Sequence, residues 1–429
     1  MERITFFTIF AVRFITNTFI NMARLRITML LMLATLAVQA QQVVSGVVKD
    51  RQTGKALSHV SISAVGTDVH TVTNDDGRFT LKLAQLPRYI QVSHIGYKTR
   101  QMPLGTGDTE NLTILMLGTA VQLNEVIVSL EDPQAIVKAA ISRIETNYAS
   151  EPELMRCFYR ETARRGSRFI SVAEAVTDMY KSSYSRGPEF DAVAIQKGRR
   201  LMSMKASDTL GVKVQGGPVM PLMVDVAKNS EYILDPEMLL YYKYRMELPT
   251  TIDNCLHYVI SMTPKAVTPF PLMGGLLYIN HESLAITRAE LQLDVSDWRK
   301  ASEYMLVRKP LGLRFRPREL SVIVVYETDA AGITRMSYVR NEMRFNCDWR
   351  RRLFASPYTT VCEMVVTDRL ALGRQAKRPH GRSSFGRNDR FYDKVEYFDD
   401  PDFWADYNII EPTESLEHAI NKLKKRVRN

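Results

Sequence analysis

Four short motifs between residues 43 and 128 determine how the N-terminal part of the chain folds: VSGVV at 44–48, TGKAL at 53–57, TNDDGRF at 73–79 and IGY at 95–97. Residues 78–83 alternate between polar and apolar side chains, as do residues 59–64, and this two-residue period is typical of a half-buried β-strand. Residues 74–77 end in glycine, which predicts a tight turn because glycine adopts positive φ without strain. Short alternating strands separated by such turns predict a β-sandwich of antiparallel sheets.

The four motifs together resemble the carboxypeptidase-like regulatory domain, a transthyretin-like, Ig-like β-sandwich. The resemblance implies that residues 42–128 form this sandwich and that the protein belongs to the Gram-negative cell envelope. It implies no reaction, because this domain is the non-catalytic appendage of the zinc carboxypeptidases. Residues 123–128 also resemble the segment that leads into the plug of TonB-dependent outer-membrane transporters, but the roughly 300 residues that follow are too few for the barrel of that family.

The N-terminus carries the features of an export signal. Arg24 and Arg26 precede an apolar run over residues 27–38, and this run is too short to span a bilayer comfortably. After this run, residues 38–40 form a small-x-small pattern that ends at Ala40 and that signal peptidases cleave. We therefore expect residues 1–40 to be a signal peptide.

Cleavage after that pattern predicts a mature chain that begins at Gln41, with Met22 as the true start of translation. A retained membrane anchor is the alternative, because residues 4–10 form a second apolar run. No cysteine follows the cleavage point, so a lipid anchor is not indicated. The expected location is the periplasm or the outer membrane, with peripheral membrane contact as one option.

Residues 129–372 are predicted to form a second domain, a helix followed by mostly antiparallel strands. Asp-Pro at 132–133 is a good helix start, and apolar residues recur at helical spacing over 136–144. Residues 289–296 alternate as a strand with one dry face, whereas 320–326 is apolar on both faces, which favours a central position. The arrangement resembles the half-barrel of lipoprotein-carrier proteins, which is an analogy of architecture alone.

The C-terminal part divides into a basic linker at 373–390, rich in glycine, proline and serine, and an aromatic and acidic tail at 391–429 that is expected to pack onto the body. The tail ends in an amphipathic helix that Thr413 can cap. The apolar stripe of this helix predicts docking onto the protein rather than onto a membrane surface, and consists of Leu416, Ile420, Leu423 and Val427. The whole chain is therefore predicted to be mostly β with a few helices.

The net charge of +10 does not indicate a nucleic-acid partner. Cleavage at Ala40 removes four arginines and one glutamate, a net +3, and leaves +7. The remaining basic residues are dispersed, apart from the linker and the last helix. A solvated basic face or contact with anionic headgroups explains this charge, so no nucleic-acid binding is predicted.

Cysteine and histidine spacing predicts neither a metal site nor a cofactor. The chain has four cysteines, Cys157, Cys255, Cys347 and Cys362, without a Cys-x-x-Cys pair. Three pairings are open to them; Cys347 and Cys362 could bridge neighbouring strands, but buried free thiols are favoured. His281-Glu282 begins like a zincin helix, but Ala285 occupies the place of the second histidine. The seven histidines are scattered: His59, His70, His94, His257, His281, His380 and His418.

No sequence motif assigns a catalytic, cofactor-binding or metal-binding residue. Neither a Gly-x-Ser-x-Gly elbow nor a phosphate-binding glycine loop is present. Two hypotheses follow: a non-enzymatic envelope protein whose second domain binds an apolar ligand or a protein partner, and an envelope hydrolase for peptide or glycan with an unrecognised site. An apolar cavity would favour the first, and a solvent-facing cluster of His, Asp and Glu would favour the second. Close packing of the strands against the helix at 136–144, which would leave no cavity, is the alternative to a ligand site.

Overall fold

The computed structural model describes residues 42–105, 109–119, 132–203, 211–229, 234–349, 355–381, 384–386, 389, 391–397, 403–404 and 407–427. The predicted signal peptide and the transporter-like segment at 123–128 lie outside these residues. Within the described part, no helix has the length and hydropathy needed to cross a membrane.

Two small sheets form the N-terminal sandwich, and they contain the strands β1 (Gln42–Asp50), β2 (Ser61–Ala64), β3 (His70–Val72), β4 (Arg78–Leu83), β5 (Tyr89–Ser93), β6 (Arg100–Pro103) and β7 (Leu112–Met116). One sheet has the order β4-β1-β7 and the other β3-β2-β5-β6. The strands of the second sheet pair antiparallel, but β1 and β7 run parallel. The prediction of antiparallel pairing throughout the sandwich is therefore wrong for β1 and β7, because the alternation of side chains does not specify strand direction.

The turn chemistry and the alternation predicted for the sandwich are confirmed. Phe79 and Leu81 are buried while their neighbours are more exposed. Gly77 adopts φ of +73°, and a Cβ on it would lie 2.7 Å from the carbonyl oxygen of Val48. Glycine is therefore needed at this turn both for its conformation and for the close approach of β1.

The predicted helix after residue 132 is also confirmed. It forms α1 (Pro133–Ser142), and the Asp132 carboxylate accepts a hydrogen bond of 3.0 Å from the backbone N–H of Gln134. A short helix α2 (Ile144–Asn147) follows it. The predicted apolar face is buried in the main core, with Ile136, Val137, Ala140 and Ile144 as its members.

The second domain is built on one open sheet of thirteen strands. Its strands are β8 (Glu153–Arg165), β9 (Arg168–Lys181), β10 (Ala192–Met202), β12 (Tyr242–Met246), β13 (Thr250–Ile252), β14 (Cys255–Pro264), β15 (Met273–Asn280), β16 (Ile286–Leu293), β18 (Leu313–Thr328), β19 (Thr334–Trp349), β20 (Ser356–Leu372), β21 (Ser384–Phe385) and β22 (Glu396–Tyr397). The order is β12-β14-β15-β16-β18-β19-β20-β8-β9-β10-β21, with β13 beside β14 and β22 beside β10. The predicted antiparallel domain is confirmed, although β22 pairs parallel with β10.

A few short elements complete this domain. They are β11 (Lys213–Val214), which pairs with β17 (Leu306–Arg308), and the helices α3 (Met220–Met223), α4 (Trp298–Met305) and α5 (Glu414–Val427). Asp297 caps α4 by accepting from the N–H groups of Arg299 and Lys300.

The two faces of the large sheet carry different partners. We call the face with Cys157, Tyr159 and Glu161 the cavity face, because the residues of the main core and of two cavities lie on it. The opposite face, here the sandwich face, carries Phe158, which packs with Val72 of β3. The alternation of β8 thus sends successive side chains into two separate environments.

The sandwich is joined to the large sheet by hydrogen bonds as well as by packing. The Ser61 hydroxyl donates to Glu327 over 2.5 Å, and the N–H of Thr99 donates to the side chain of Asn254 over 3.0 Å. The division into domains at residues 42–128 and 129–372 stays a prediction, because these contacts place β2 and β3 directly on the sandwich face.

The tail packs onto the body as predicted. Phe403, Trp404 and Ile410 are buried against the sandwich face, and the Trp404 indole donates to Glu174 over 3.0 Å. The stripe of α5 docks on β9 and β10, where Leu416, Ile420 and Leu423 are buried, and Thr413 caps this helix. The linker prediction for 373–390 did not anticipate β21, whose Phe385 is buried and pairs with Val193.

All four cysteines are free thiols, three of them buried and Cys255 exposed. The disulfide between Cys347 and Cys362, which the sequence left open, is not formed. These residues lie on neighbouring strands but far apart in register, since Cys347 pairs with Ser356 and Cys362 with Asn341.

Candidate functional site

A cavity of about 730 Å³ lies on the cavity face of the large sheet. Its floor comes from four adjacent strands, β20, β8, β9 and β10, which contribute Thr360, Glu161, Ser171 and Arg200 among others. Its volume falls within the range of about 300–1,000 Å³ that is usual for small-molecule sites. The alternative of close packing against the helix at 136–144 concerns another part of the sheet and stays a prediction.

The cover of the cavity is formed by residues 211–217 and 308–311, with residues 389 and 391–393 at one side. The cover is held together by the β11–β17 pair and by the N–H of Gln215, which donates to the carbonyl of Met305 over 2.9 Å. The cover is thus a small two-stranded sheet laid over a large one.

The lining is mainly apolar, with a basic margin. Ala163, Ile170, Val212 and Phe391 supply apolar surface. The charged residues of the cover include Arg308 and Lys309, which are exposed. Such a cavity suits an amphiphile, because an apolar body can leave water inside while a polar or anionic end stays near the cations.

Glu161 is the carboxylate on the floor of the cavity. One oxygen, Oε2, accepts from the hydroxyl of Tyr159 over 3.0 Å and from the backbone N–H of Gly217 over 3.0 Å, with the Cys362 thiol 3.8 Å away. No described residue donates to the other oxygen, Oε1. Burial raises the pKa of Glu161, and its hydrogen bonds only partly oppose this effect.

The raised pKa of Glu161 predicts a specific dependence of stability on pH. A carboxyl with a higher pKa in the folded state binds more protons there than in the unfolded chain, so the free energy of unfolding falls as pH rises above about 4.3. This decline ends once the pH has passed the folded-state pKa. We expect urea unfolding between pH 4 and 8 to show that the free energy of unfolding declines less in Glu161→Gln than in the wild type. Parallel plots of this free energy against pH for the two proteins would contradict the prediction.

The thiol beside Glu161 is not an activated nucleophile. Burial, followed by the nearby carboxylate of Glu161, raises the pKa of Cys362 well above its ordinary value. A reactive cysteine needs the opposite shift, toward the thiolate. The described residues that line the cavity include no histidine to act as a base.

A second cavity of about 270 Å³ lies further along the same face. Strands β15, β16 and β18 line it through Met273, Leu291 and Val322, and α3 contributes Met220 and Met223. Gln215 of the cover lines both cavities. The two cavities therefore occupy one face of one sheet and share one covering segment.

A buried charge cluster fixes the segment that follows α3. Asp225 forms an ion pair with Lys181 and accepts from the hydroxyl of Tyr326 over 2.7 Å. Lys228 pairs with Asp191 over 2.6 Å. Burial alone would raise the pKa of Asp225. The charge of the neighbouring Lys181 outweighs this effect, so the pKa is lowered. The cluster contains two cations and two anions, so it is balanced in charge and suited to hold the chain in place.

The scattered histidines do not come together in the structure. The ring of His59 lies 5.5 Å from that of Tyr338 where the sandwich meets the sheet, and His281 lies in a turn with its ring 4.7 Å from that of Tyr258. His281-Glu282, which resembles the start of a zincin helix in sequence, is thus not helical. Among the described residues, no three His, Cys, Asp or Glu side chains are placed to hold a metal ion.

Sequence reasoning assigned no site residue, and it missed Glu161. A signal was present, because Met155, Cys157 and Tyr159 precede Glu161 at two-residue spacing on the buried side of β8. A carboxylate at a position that the strand alternation assigns to the buried side is unusual and often functional.

The fold and the cavity define a class of protein in which a β-sandwich is joined to a larger sheet, and the larger sheet carries a ligand-sized apolar cavity. Residues 44–128 match the family model of the CarboxypepD_reg-like domain. This segment therefore carries a CarboxypepD_reg-like domain, as its motifs predicted. No curated protein matches the chain.

Several solved structures align with part of this chain at low similarity. A DUF1329 family protein from Desulfovibrio piger is 13% identical, with 57% of this chain and 93% of that chain covered and a TM-score of 0.23. A domain named for outer membrane lipoprotein sorting from Vibrio parahaemolyticus is 8% identical over 56% and 91%, with a TM-score of 0.25. A LolA superfamily protein from Nitrosomonas europaea is 11% identical over 54% and 94%, with a TM-score of 0.18. At such scores the likeness says nothing about ligands.

Proposed function

We propose that this is an exported, non-enzymatic binding protein of the cell envelope whose large sheet holds an apolar ligand of the acyl-chain type. The observation that carries the proposal is the cavity of about 730 Å³ beneath the β11–β17 cover, with its mainly apolar lining. The export signal at residues 1–40 and the CarboxypepD_reg-like domain at 44–128 support a place in the envelope. The sandwich lies on the opposite face of the sheet, where it can contact a protein partner without closing the cavity.

Native mass spectrometry of gently extracted protein tests the proposal. Under it, a lipid-sized adduct accompanies the chain and is lost on extraction with organic solvent. The stripped protein should then melt at a higher temperature when an acyl probe such as monooctanoylglycerol is added, since a ligand that binds only the folded state stabilises it. A clean mass without adduct, together with an unchanged melting temperature, would reject the proposal.

Filling the cavity is expected to abolish this binding. Ala163 lies on the floor of the cavity and is only 3% exposed, so the ring of Ala163→Phe must enter the cavity. We expect the affinity for monooctanoylglycerol to fall at least tenfold, with the fold retained because the added group fills empty apolar space.

Isothermal titration with circular dichroism on the same samples checks this expectation. The matched control is Ala331→Phe, which adds the same ring at an exposed turn far along the chain and should bind as the wild type does. Undiminished binding by a folded Ala163→Phe protein would place the ligand outside this cavity.

A further inference from the structure

Three polar side chains cross the cavity face in one row. Asn341 of β19 is the register partner of Cys362 of β20, and Cys362 is the register partner of Glu161 of β8. The row continues into apolar residues at both ends, Val322 of β18 and Ala173 of β9. Since neighbouring strands are about 4.8 Å apart, the row spans roughly 10 Å from Asn341 to Glu161.

The row runs from two residues of the large cavity to the register partner of a residue of the small one, and Asn341 itself lines neither cavity. Cys362 and Glu161 line the large cavity, while Val322 lines the small one. Asn341 therefore lies in register between a residue of one cavity and a residue of the other. Gln215 of the cover also lines both cavities.

The two ends of the row have unused hydrogen-bonding capacity. Asn341 is 1% exposed, and neither atom of its side-chain amide has a partner among the described residues. Glu161 engages Oε2 with Tyr159 and Gly217 but leaves Oε1 without a described donor. The Asn341 amide is therefore unusual, because a buried polar group without a partner loses its hydration without compensation.

We infer that the polar row Asn341–Cys362–Glu161 binds the neutral ester or amide linkage of an amphiphile whose two apolar arms occupy the two cavities. The inference rests on the proposed function and names the chemical class of its ligand. Apolar arms match the lining of each cavity, and a linkage with carbonyl oxygens supplies acceptors at the polar row between them. The Asn341 amide N–H₂ donates to one carbonyl.

The second carbonyl pairs with Glu161. Because the donors of Tyr159 and Gly217 both point at Oε2, a proton on this carboxyl resides on Oε1 and faces the cavity. Burial raises the pKa of Glu161 and so favours this protonated form. An ionised ligand head would be disfavoured here, since it would lie beside a carboxyl in an apolar enclosure.

Two probes that differ only at the linkage test the inference in the full-length mature protein. Dioctanoylglycerol has two ester carbonyls, whereas its diether analogue, dioctylglycerol, has none. The wild type is expected to bind the diester at least tenfold more tightly than the diether, a difference equal to about 1.4 kcal/mol. Monooctanoylglycerol, with one arm, is expected to bind more weakly than the diester.

Variants of the row provide the second arm of the test. Asn341→Leu is expected to weaken binding of dioctanoylglycerol about tenfold while it raises Tm, because it removes an unpaired buried amide. Glu161→Gln keeps a donor at the position of Oε1 and should bind within about threefold of the wild type, whereas Glu161→Leu should lose about tenfold.

Thr287→Val is the matched control for Asn341→Leu. The Thr287 hydroxyl is also buried without a partner among the described residues, but it lies on β16 outside the row. Its removal should raise Tm and leave binding unchanged. Equal affinity for diester and diether, with Asn341→Leu binding normally, would overturn the inference alone; a lack of binding by all three probes would overturn the proposed function with it.

Discussion

Replacing Asp225 with alanine is expected to lower the free energy of unfolding by about 3–5 kcal/mol, because it leaves a buried cation without its partner. Asp225 is fully buried and pairs with Lys181, which is 2% exposed. The variant also leaves the hydroxyl of Tyr326 without its acceptor at 2.7 Å. The loss of stability is large because two costs add: the free energy of keeping the unpaired Lys181 charge buried, and the free energy of the lost hydrogen bonds.

Urea unfolding at pH 7 measures this loss, with Glu247→Ala as the control. Glu247 pairs with Arg245 over 2.6 Å, but the Arg245 side chain is 75% exposed, so the control should change the free energy by less than about 1 kcal/mol. Similar values for the two variants would show that the buried cluster does not stabilise the segment after α3.

The same cluster predicts sensitivity to acid. The pKa of Asp225 is lowered in the folded state, since the charge of Lys181 outweighs the effect of burial. A lowered carboxyl pKa contributes stability above the unfolded-state value of about 3.9, and this contribution is lost as pH falls through the folded-state pKa. The gap between wild type and Asp225→Ala should therefore narrow below about pH 4.

Phe79→Ala is the second substitution with a large expected effect, about 3–5 kcal/mol. Phe79 is 1% exposed in β4, and removal of its ring leaves a void that close-packed neighbours fill only in part. Val65→Ala, at a position that is 40% exposed, should cost less than about 1 kcal/mol.

Scanning calorimetry of the full-length variants checks both values and tests the predicted domain boundary. If residues 42–128 unfold as a separate unit, Phe79→Ala lowers one transition and leaves another in place. If the contacts on the sandwich face couple the two parts, a single transition moves. A near-silent Phe79→Ala would show that its ring does not fill the sandwich core.

Local features of the fold were predictable from the sequence because local chemistry specifies them. The alternation at 78–83 requires one buried side of a strand, and Asp132 provides the acceptor that a helix start needs. Thr413 and the stripe of α5 follow the same logic, and the structure confirms that this stripe docks on β9 and β10.

The candidate site was not predictable because it depends on strand pairing between distant segments. Glu161, Asn341 and Cys362 form a row only after β19, β20 and β8 have paired in one particular register. A shift of one residue would turn each of these side chains to the opposite face. The phase of Glu161 along β8 was visible in the sequence, but its partners were not.

The pairing of β20 with β8 also constrains how the chain can fold during and after synthesis. Arg165 in β8 contacts Ser356 in β20 across 191 positions of sequence. β9 can form a hairpin with β8 early, but the other edge of β8 stays unpaired until the segment up to Leu372 has arrived. Contacts so distant in sequence slow folding, and an open edge of thirteen residues can pair with a foreign strand. The protein is therefore expected to need protection by a chaperone during this interval.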